Sequence, residues 1–407
     1  MQPDRFVAGR RRQDPKSKEE SDVTWFHGTS QFWRIRCVEP DCSCGSLGHP
    51  DGTARRNLRI LAHDDQLHSC DAVVHGALQL SEQSGLDQNT LSMRCLRWIG
   101  LVNSGFHQDV CEAITRGERL LAERQAVDGM WRDYWLKPGS SEDWVSACCG
   151  LALARAPRSQ STLHSLTAAG RALYSARRAG GWGFNRDTVP DADSSAWVLR
   201  FLSIFGIECL KRDAACLQVY VDGDGHAHTF HSPETAGRWG HAHADVTPVV
   251  GMALLATGAD SGLIARVRNA VLGSQTQEGC WLSFWWSTNS YATARSLEFL
   301  AMTGGIPLRV SESVRRWFAS LDQAHNSFEA AQRLVISEAF GEAGDAWKNR
   351  LLDLEDGRGY WPSSSVLLVP DKETSQSESG VTHADEECLL STAMSLMALK
   401  SWIKRQL

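Results

Sequence analysis

A seven-residue pattern occurs twice in this chain without a mismatch, and it dictates a repeated architecture. Gln125-Ala126-Val127-Asp128-Gly129-Met130-Trp131 reads Q-x-x-x-G-x-W, and so does Gln275-Thr276-Gln277-Glu278-Gly279-Cys280-Trp281. Gly180-Gly181-Trp182 and Gly359-Tyr360-Trp361 keep the glycine and the tryptophan but lose the glutamine. A unit that recurs in this way cannot bury its apolar face alone and must stack on its neighbours. The repeat also explains a bias in composition, sixteen tryptophans against five tyrosines.

After each turn comes a run of small and apolar residues: DWVSACCGLALA (143–154), DSSAWVLRFL (193–202), SYATARSLEFLA (290–301) and CLLSTAMSLMAL (388–399). DVTPVVGMALLA (245–256) belongs with them, with RWGHAHA read as its divergent turn. Between these runs lie amphipathic segments such as SGLIARVRNAVLGSQ and SESVRRWFASLD, apolar at three- and four-residue spacing and charged on the other face. Runs apolar nearly all round predict inner helices, and the amphipathic ones predict outer helices facing water. Strand alternation is scarce. The expected class is all-α, an α/α array of paired helices.

With 407 residues, a net charge of −6 and 42% hydrophobic residues, the chain can support a large packed core. Its mild acidity argues against nucleic acid as a partner, since phosphate binding needs a basic face. No apolar run is long enough to predict a membrane span. The charged N-terminus, MQPDRFVAGRRRQDPKSKEESD, reads as a disordered lead-in rather than a secretory signal. Twelve scattered cysteines then imply reduced thiols and a cytoplasmic protein. Residues 1–76 read as an N-terminal extension and 77–407 as the repeat domain. In the extension, Cys37-x4-Cys42-x-Cys44 with His49 reads as a loop with incidental cysteines, a weak alternative being structural zinc.

If every inner helix runs the same way, the helix starts gather at one mouth. There the sequence places Asp143, Asp191 and Asp193, Asp245, and Asp385 with Glu386 and Glu387. Aspartate before a helix is a preferred cap for backbone N–H groups that the helix cannot satisfy. Asp143, Asp193 and Asp245 are all expected to cap. Capping needs one carboxylate, so Asp191 is surplus. Two neighbouring acids do not both ionise easily, and one of them can stay protonated at neutral pH. A protonated carboxyl in an apolar, aromatic-lined site is an acid strong enough to protonate an alkene or epoxide.

The Q-x-x-x-G-x-W turn followed by an inner helix resembles the repeat of the squalene and oxidosqualene cyclases. Class II diterpene cyclases and protein prenyltransferase β subunits share their α/α toroid, a barrel of concentric helices. The resemblance covers roughly residues 77–407, with one toroid where squalene and diterpene cyclases add a second helical domain. PDADSSAW is similar to the D-x-D-D-T-A motif of class II cyclases, and closer to the D-x-D-T-T variant of some bacterial members. By position, the resemblance implies that Asp193 donates the proton with Asp191 as its partner. Ser194 stands at the third acidic position and Ser195 where threonine is usual.

Five histidines, His226, His228, His231, His241 and His243, precede Asp245. His241 or His243 could hydrogen-bond and orient the acid, imidazoles with Asp245 could bind zinc, or the segment is a solvated loop. Glu278-Gly279-Cys280-Trp281-Leu282-Ser283-Phe284-Trp285 resembles the segment of farnesyltransferase β subunits that carries zinc ligands. That likeness implies Cys280 with His383 or Asp385 as metal ligands. The aromatic residues Trp182, Phe184, Trp197, Trp281, Phe284, Trp285, Trp286 and Tyr291 pack turns together by default. Those facing the interior would stabilise carbocations through their π faces without attacking them.

The leading expectation is therefore a class II terpene cyclase-like enzyme acting on an isoprenoid small molecule, with Asp193 as general acid. Protonation chemistry needs no cofactor, a diphosphate substrate would bring Mg²⁺, and the Cys280 alternative would use Zn²⁺. Arg186, Arg238 and Arg358 are not grouped in sequence as a diphosphate would require, so a prenylated aromatic or polyketide–terpene hybrid is an open alternative. Peripheral membrane contact through an apolar rim is also open. A non-catalytic helical-repeat binding module is the reading from a different class.

Overall fold

The computed structural model describes residues 107–154, 159–204, 210–231, 237–342, 344–372 and 380–406, and the expectations for Cys37, Cys42, Cys44, His49 and residues 77–106 lie outside them. Twelve α-helices occur among the described residues, in six outer–inner pairs. The outer helices are α1 (Gln108–Arg124), α3 (Gln160–Ser175), α5 (Leu210–Gln218), α7 (Ser261–Gly273), α9 (Leu308–Ala319) and α11 (Asp345–Leu354). The inner ones are α2 (Asp143–Ala154), α4 (Ala192–Ser203), α6 (Thr247–Ala256), α8 (Asn289–Met302), α10 (Ser327–Ala339) and α12 (Leu389–Gln406). Each inner helix packs on the next, and α12 packs back on α2, so the six form a closed ring. Inner α2 is buried over eleven consecutive residues, Asp143 to Leu153. Outer α9 buries only Val310 and Val314. This is the inner–outer division that the two kinds of apolar pattern predict.

Two antiparallel hairpins ornament the helix-start end: β1 (Asp133–Leu136) with β2 (Gly139–Ser141), and β3 (Ser365–Pro370) with β4 (Gly380–Ala384). The second hairpin crosses to another repeat, where Leu368 N–H donates to the Trp285 carbonyl and Ser287 N–H to that of Val366. No helix among the described residues is long and apolar enough to cross a membrane.

The repeated turn is held by three recurring contacts. The indole N–H of Trp131, Trp182, Trp281 and Trp361 donates to the carbonyl of Leu121, Leu173, Val271 and Leu351, near the end of the preceding outer helix. The backbone N–H of the same tryptophan donates to a hydroxyl on the inner helix that follows: Ser146, Ser195, Thr293 or Thr392. Gln125 and Gln275 close the turn by donating to the carbonyls of Gly129 and Gly279. Each of these outer-helix ends thus gains a donor for a carbonyl it cannot satisfy itself.

These contacts also relocate one repeat. The turn before α6 is Asp222–Ala227 rather than RWGHAHA. Ala227 N–H donates to the Thr247 hydroxyl as the tryptophans do to theirs, and Gly225 packs on the α7 backbone at Arg266. Arg238-Trp239-Gly240 belongs to a 3-10 turn further on, tied to the second hairpin by the Trp239 indole on the Pro370 carbonyl.

Candidate active site

Asp191, not Asp193, caps α4. Its carboxylate accepts the Ser194 N–H at 2.7 Å and the Ser194 hydroxyl at 2.8 Å, the geometry expected of an aspartate three residues ahead of an unpaired helix donor. Its own N–H donates to the Trp182 carbonyl, and that of Ala192 to Thr229. The cap expected at Asp193 is therefore supplied by Asp191. The two serines of the motif have structural work as well, Ser194 on Asp191 and Ser195 on both polar backbone atoms of Trp182.

Asp143 and Asp245 do not cap their own helices, contrary to expectation. Both reach into the turn of the following repeat. Asp143 accepts the Gly183 N–H at 3.2 Å, and Asp245 accepts those of Phe284 and Trp285 at 2.8 Å each. Asp385 accepts from Ser364 and Ser391, while Asp133, a position the sequence did not single out, accepts from Tyr134, Glu387 and Leu389. These buried carboxylates sew the turns into a ring.

Asp193 remains without such a task. It stands in the first turn of α4, its Oδ1 enclosed and without a hydrogen-bond partner. Burial pushes its carboxyl well above the usual carboxylate range, and the charges of Asp191 and Asp245 push the same way against Arg200 and Arg295. Desolvation disfavours the charged form, so burial favours the protonated carboxyl at Asp193. Arg295 on α8 and Cys148 on α2 both interact electrostatically with Asp193 on α4. Groups on non-adjacent helices of a ring meet only near its axis, which places Asp193 there.

An aromatic layer reaches this position through Tyr291, which interacts electrostatically with Asp193. Trp144 on α2 meets Trp286, in the turn leading into α8, edge-on with centroids 6.0 Å apart, although α2 and α8 are opposite in the ring. Trp286 stacks on Tyr291 of α8 at 4.5 Å and on Phe328 of α10 at 4.8 Å, and Tyr134 stacks on Trp144 at 5.6 Å. A layer of rings therefore spans the end of the barrel where the inner helices start. The Tyr134 hydroxyl is buried in it without a hydrogen-bond partner, and the Tyr291 hydroxyl is buried beside the Trp197 indole. One turn along α4 from Asp193, Trp197 carries the Arg200 guanidinium 4.6 Å from its ring centre.

Several residues singled out in the sequence lie elsewhere. Trp182 and Trp281 are fully buried in the repeat contacts rather than on the axis. Phe284 stacks on His243 at 3.6 Å, Trp285 donates its indole N–H to Thr229, and Phe184 is a partly buried neighbour of the core. His243 faces the Arg238 carbonyl through Nε2 and His241 is exposed, so neither orients Asp193. Cys280, His383 and Asp385 are not brought together. Cys280 lies against Thr276, Asp385 accepts backbone N–H groups, and His383 pairs with Leu367 in the second hairpin. Among the described residues no group of three or more His, Cys, Asp or Glu is placed to hold a metal ion.

The residues that sequence reading missed carry a recoverable signal. Arg200 continues the i, i+4, i+7 stripe that starts at the already noted Asp193 and Trp197 on one inner helix, and Arg295 and Glu298 continue the one that starts at Tyr291 on another. Trp144 and Cys148 share the i, i+4 spacing on α2. A single polar stripe on an otherwise apolar inner helix marks the face turned to the axis.

The buried acids predict how stability varies with pH. Burial raises Asp143 and Asp245 to about 6, and Asp191 and Asp385 to about 7. Against an unfolded value of about 4, the folded state holds more protons between about pH 4 and pH 7, so stability falls as pH rises through that window. His243, lowered to about 3 by burial, opposes this below about 6.5, but as one group against four. The melting temperature should drop between pH 5 and pH 8. A flat or rising profile in a thermal melt would contradict the burial of these carboxyls.

No protein-family model matches the sequence, and no curated protein matches it. Solved structures do match. The type II terpene cyclase MstE from Scytonema is 23% identical, with a TM-score of 0.63 over 72% of this chain and 98% of that one. A protein from Actinoplanes is 24% identical, with a TM-score of 0.61 over 72% and 99%. An aspartate-to-asparagine variant of MstE, in complex with its substrate geranylgeranyl dihydroxybenzoate, is 21% identical, with a TM-score of 0.62 over 73% and 98%. The chain has the α/α toroid fold of these structures.

Proposed function

We propose that the chain is a class II terpene cyclase-like enzyme that starts the cyclisation of a polyprenyl group by protonation. The observation that carries this reading is Oδ1 of the half-buried Asp193, enclosed without a hydrogen-bond partner near the barrel axis while Asp191 does the capping. The Asp193 O–H proton passes to the less substituted carbon of a terminal C=C (or to an epoxide oxygen), leaving a tertiary cation at the neighbouring carbon. Successive C=C bonds attack that cation and close rings, and loss of a proton ends the sequence, so an alkene substrate is isomerised.

Two features support the proposal. Tyr291 and Trp197 lie near the acid, and Tyr134, Trp144, Trp286 and Phe328 extend the aromatic layer from Tyr291; such π faces attract a cation without bonding to it. The toroid is shared with MstE, whose aspartate-to-asparagine variant was captured with an unreacted geranylgeranyl substrate. Zinc use through Cys280 has no comparable support. Incubation of the purified chain with geranylgeranyl alcohol, diphosphate and hydroxybenzoate should give, from at least one of them, a cyclic product of the same mass. No product from any of the three would favour the binding-module reading.

A further inference from the structure

One member of the aromatic layer is held in place from another repeat. Trp144, Asp193, Tyr291 and Phe328 all stand in the first turn of their inner helices, so the layer and the acid share one level. Trp286 belongs to no helix. It lies in the turn before α8, only 4% exposed, and its ring meets Trp144 of α2 as well as Tyr291 and Phe328. Strand β3, which comes from the turn before α12, fixes its backbone. Leu368 N–H donates to the Trp285 carbonyl and Ser287 N–H to that of Val366, an antiparallel pairing centred on Trp286 and Leu367. The base of the hairpin is tied to α12 by Asp385, which accepts the N–H groups of Ser364 and Ser391. Beyond Leu368, the Pro370 carbonyl accepts the Trp239 indole from the segment before α6, which is opposite α12 in the ring. Strand β3 is thus anchored at both ends, with Trp286 held at its middle.

We propose that Trp286, positioned by β3, is the wall that sets the longest polyprenyl chain the barrel accepts. This assignment rests on the cyclase reading and adds to it a limit on substrate length. A chain folded for ring closure must fill the space about the axis while its reacting end stays at Asp193. Side chains level with the acid therefore decide how much chain fits. Trp286 meets a ring from the opposite side of the barrel, and close-packed interiors do not yield room freely. A tryptophan side chain exceeds a leucine by about six heavy atoms, roughly the size of one isoprene unit. Trp286→Leu should therefore admit a chain one unit longer, while keeping an apolar neighbour for Tyr291 and Phe328. Leu368→Pro removes the N–H that donates to Trp285 and changes no ring of the layer. It should loosen the same limit from a distance.

The test uses the full chain carrying Asp193→Asn, so that ligands bind without being consumed. Geraniol, farnesol, geranylgeraniol and geranylfarnesol share one head group, and their dissociation constants are measured by calorimetry. Affinity should rise with length up to a limit and fall beyond it. Adding Trp286→Leu should strengthen binding of the first alcohol beyond that limit at least about tenfold, relative to the longest accepted one. Adding Leu368→Pro should act in the same direction by a smaller factor. Gly357→Ala, in an exposed turn away from the layer, should lose stability and leave the limit where it was. Absence of a limit in the parent, an unmoved limit in either folded β3 or Trp286 variant, or a limit that also moves in Gly357→Ala overturns the wall. Turnover of the alcohols with Asp193 restored separates the two ideas. Asp193-dependent cyclisation with an unmoved limit sinks the wall and keeps the cyclase. A moved limit with no cyclisation of any alcohol keeps the wall and sinks the cyclase.

Discussion

Replacing Asp193 by asparagine should lower cyclisation by about three orders of magnitude, the scale of general-acid catalysis, and leave the fold intact. Asparagine has the same shape, and Oδ1 of Asp193 has no hydrogen bond to lose. Removing a buried acid should even raise the melting temperature at neutral pH, because burial disfavours the ionised carboxylate that the unfolded chain forms freely. Asp191 supplies the contrast. Asp191→Asn still caps α4, and its influence on Asp193 is one unit of charge, so turnover should stay within about tenfold of wild type. Asp191→Ala loses the cap and should cost about 1 kcal/mol of stability. Kinetics and thermal melts of the three variants check the division of labour. Comparable activity losses in both asparagine variants, with no stability loss in the alanine one, would reverse it.

The largest structural effect is expected at the seam that closes the ring. Gly359, in the turn before α12, has φ +101°, and an added Cβ would lie 2.5 Å from the Arg116 carbonyl carbon and oxygen of α1. Left-handed strain of about 1–2 kcal/mol and a forced backbone shift of about 1–3 kcal/mol should make Gly359→Ala cost about 3 kcal/mol or more. Gly357, two residues earlier, has φ +81° with nothing within 4 Å of an added methyl, so Gly357→Ala should show the strain alone. Urea titration of the pair separates close approach from conformation. Equal losses would mean that the turn does not bear on α1 as the structure shows.

The turns were legible in the sequence because their glycine and tryptophan do backbone chemistry that few residues can replace. The repeat before α6 was misplaced because Ala227 holds the tryptophan position, and the hydroxyl of Thr247 that identifies it lies twenty residues away. Inner helix α10 went unmarked because its short connection from α9 carries no glycine–tryptophan turn. The choice of cap between Asp191 and Asp193 could not be read from D-A-D-S-S, in which either acid precedes a plausible helix. Contacts from distant segments decide it, through the Trp182 and Thr229 carbonyls that fix Asp191 and Ala192. The axial arginines were written in the i, i+4, i+7 stripe, but they sit within the inner helices, away from the turn loops where the acids cluster.

The central claim is that Asp193 starts the reaction by delivering a proton from its solvent-exchangeable carboxyl. The most direct measurement is mass spectrometry and NMR of the cyclised product formed by the wild-type chain in D₂O. Initiation by Asp193 predicts one deuterium in the product, located on the carbon that was the terminal alkene's less substituted end. A cyclised product without deuterium at that carbon would contradict it, because ring closure would then have begun by another route.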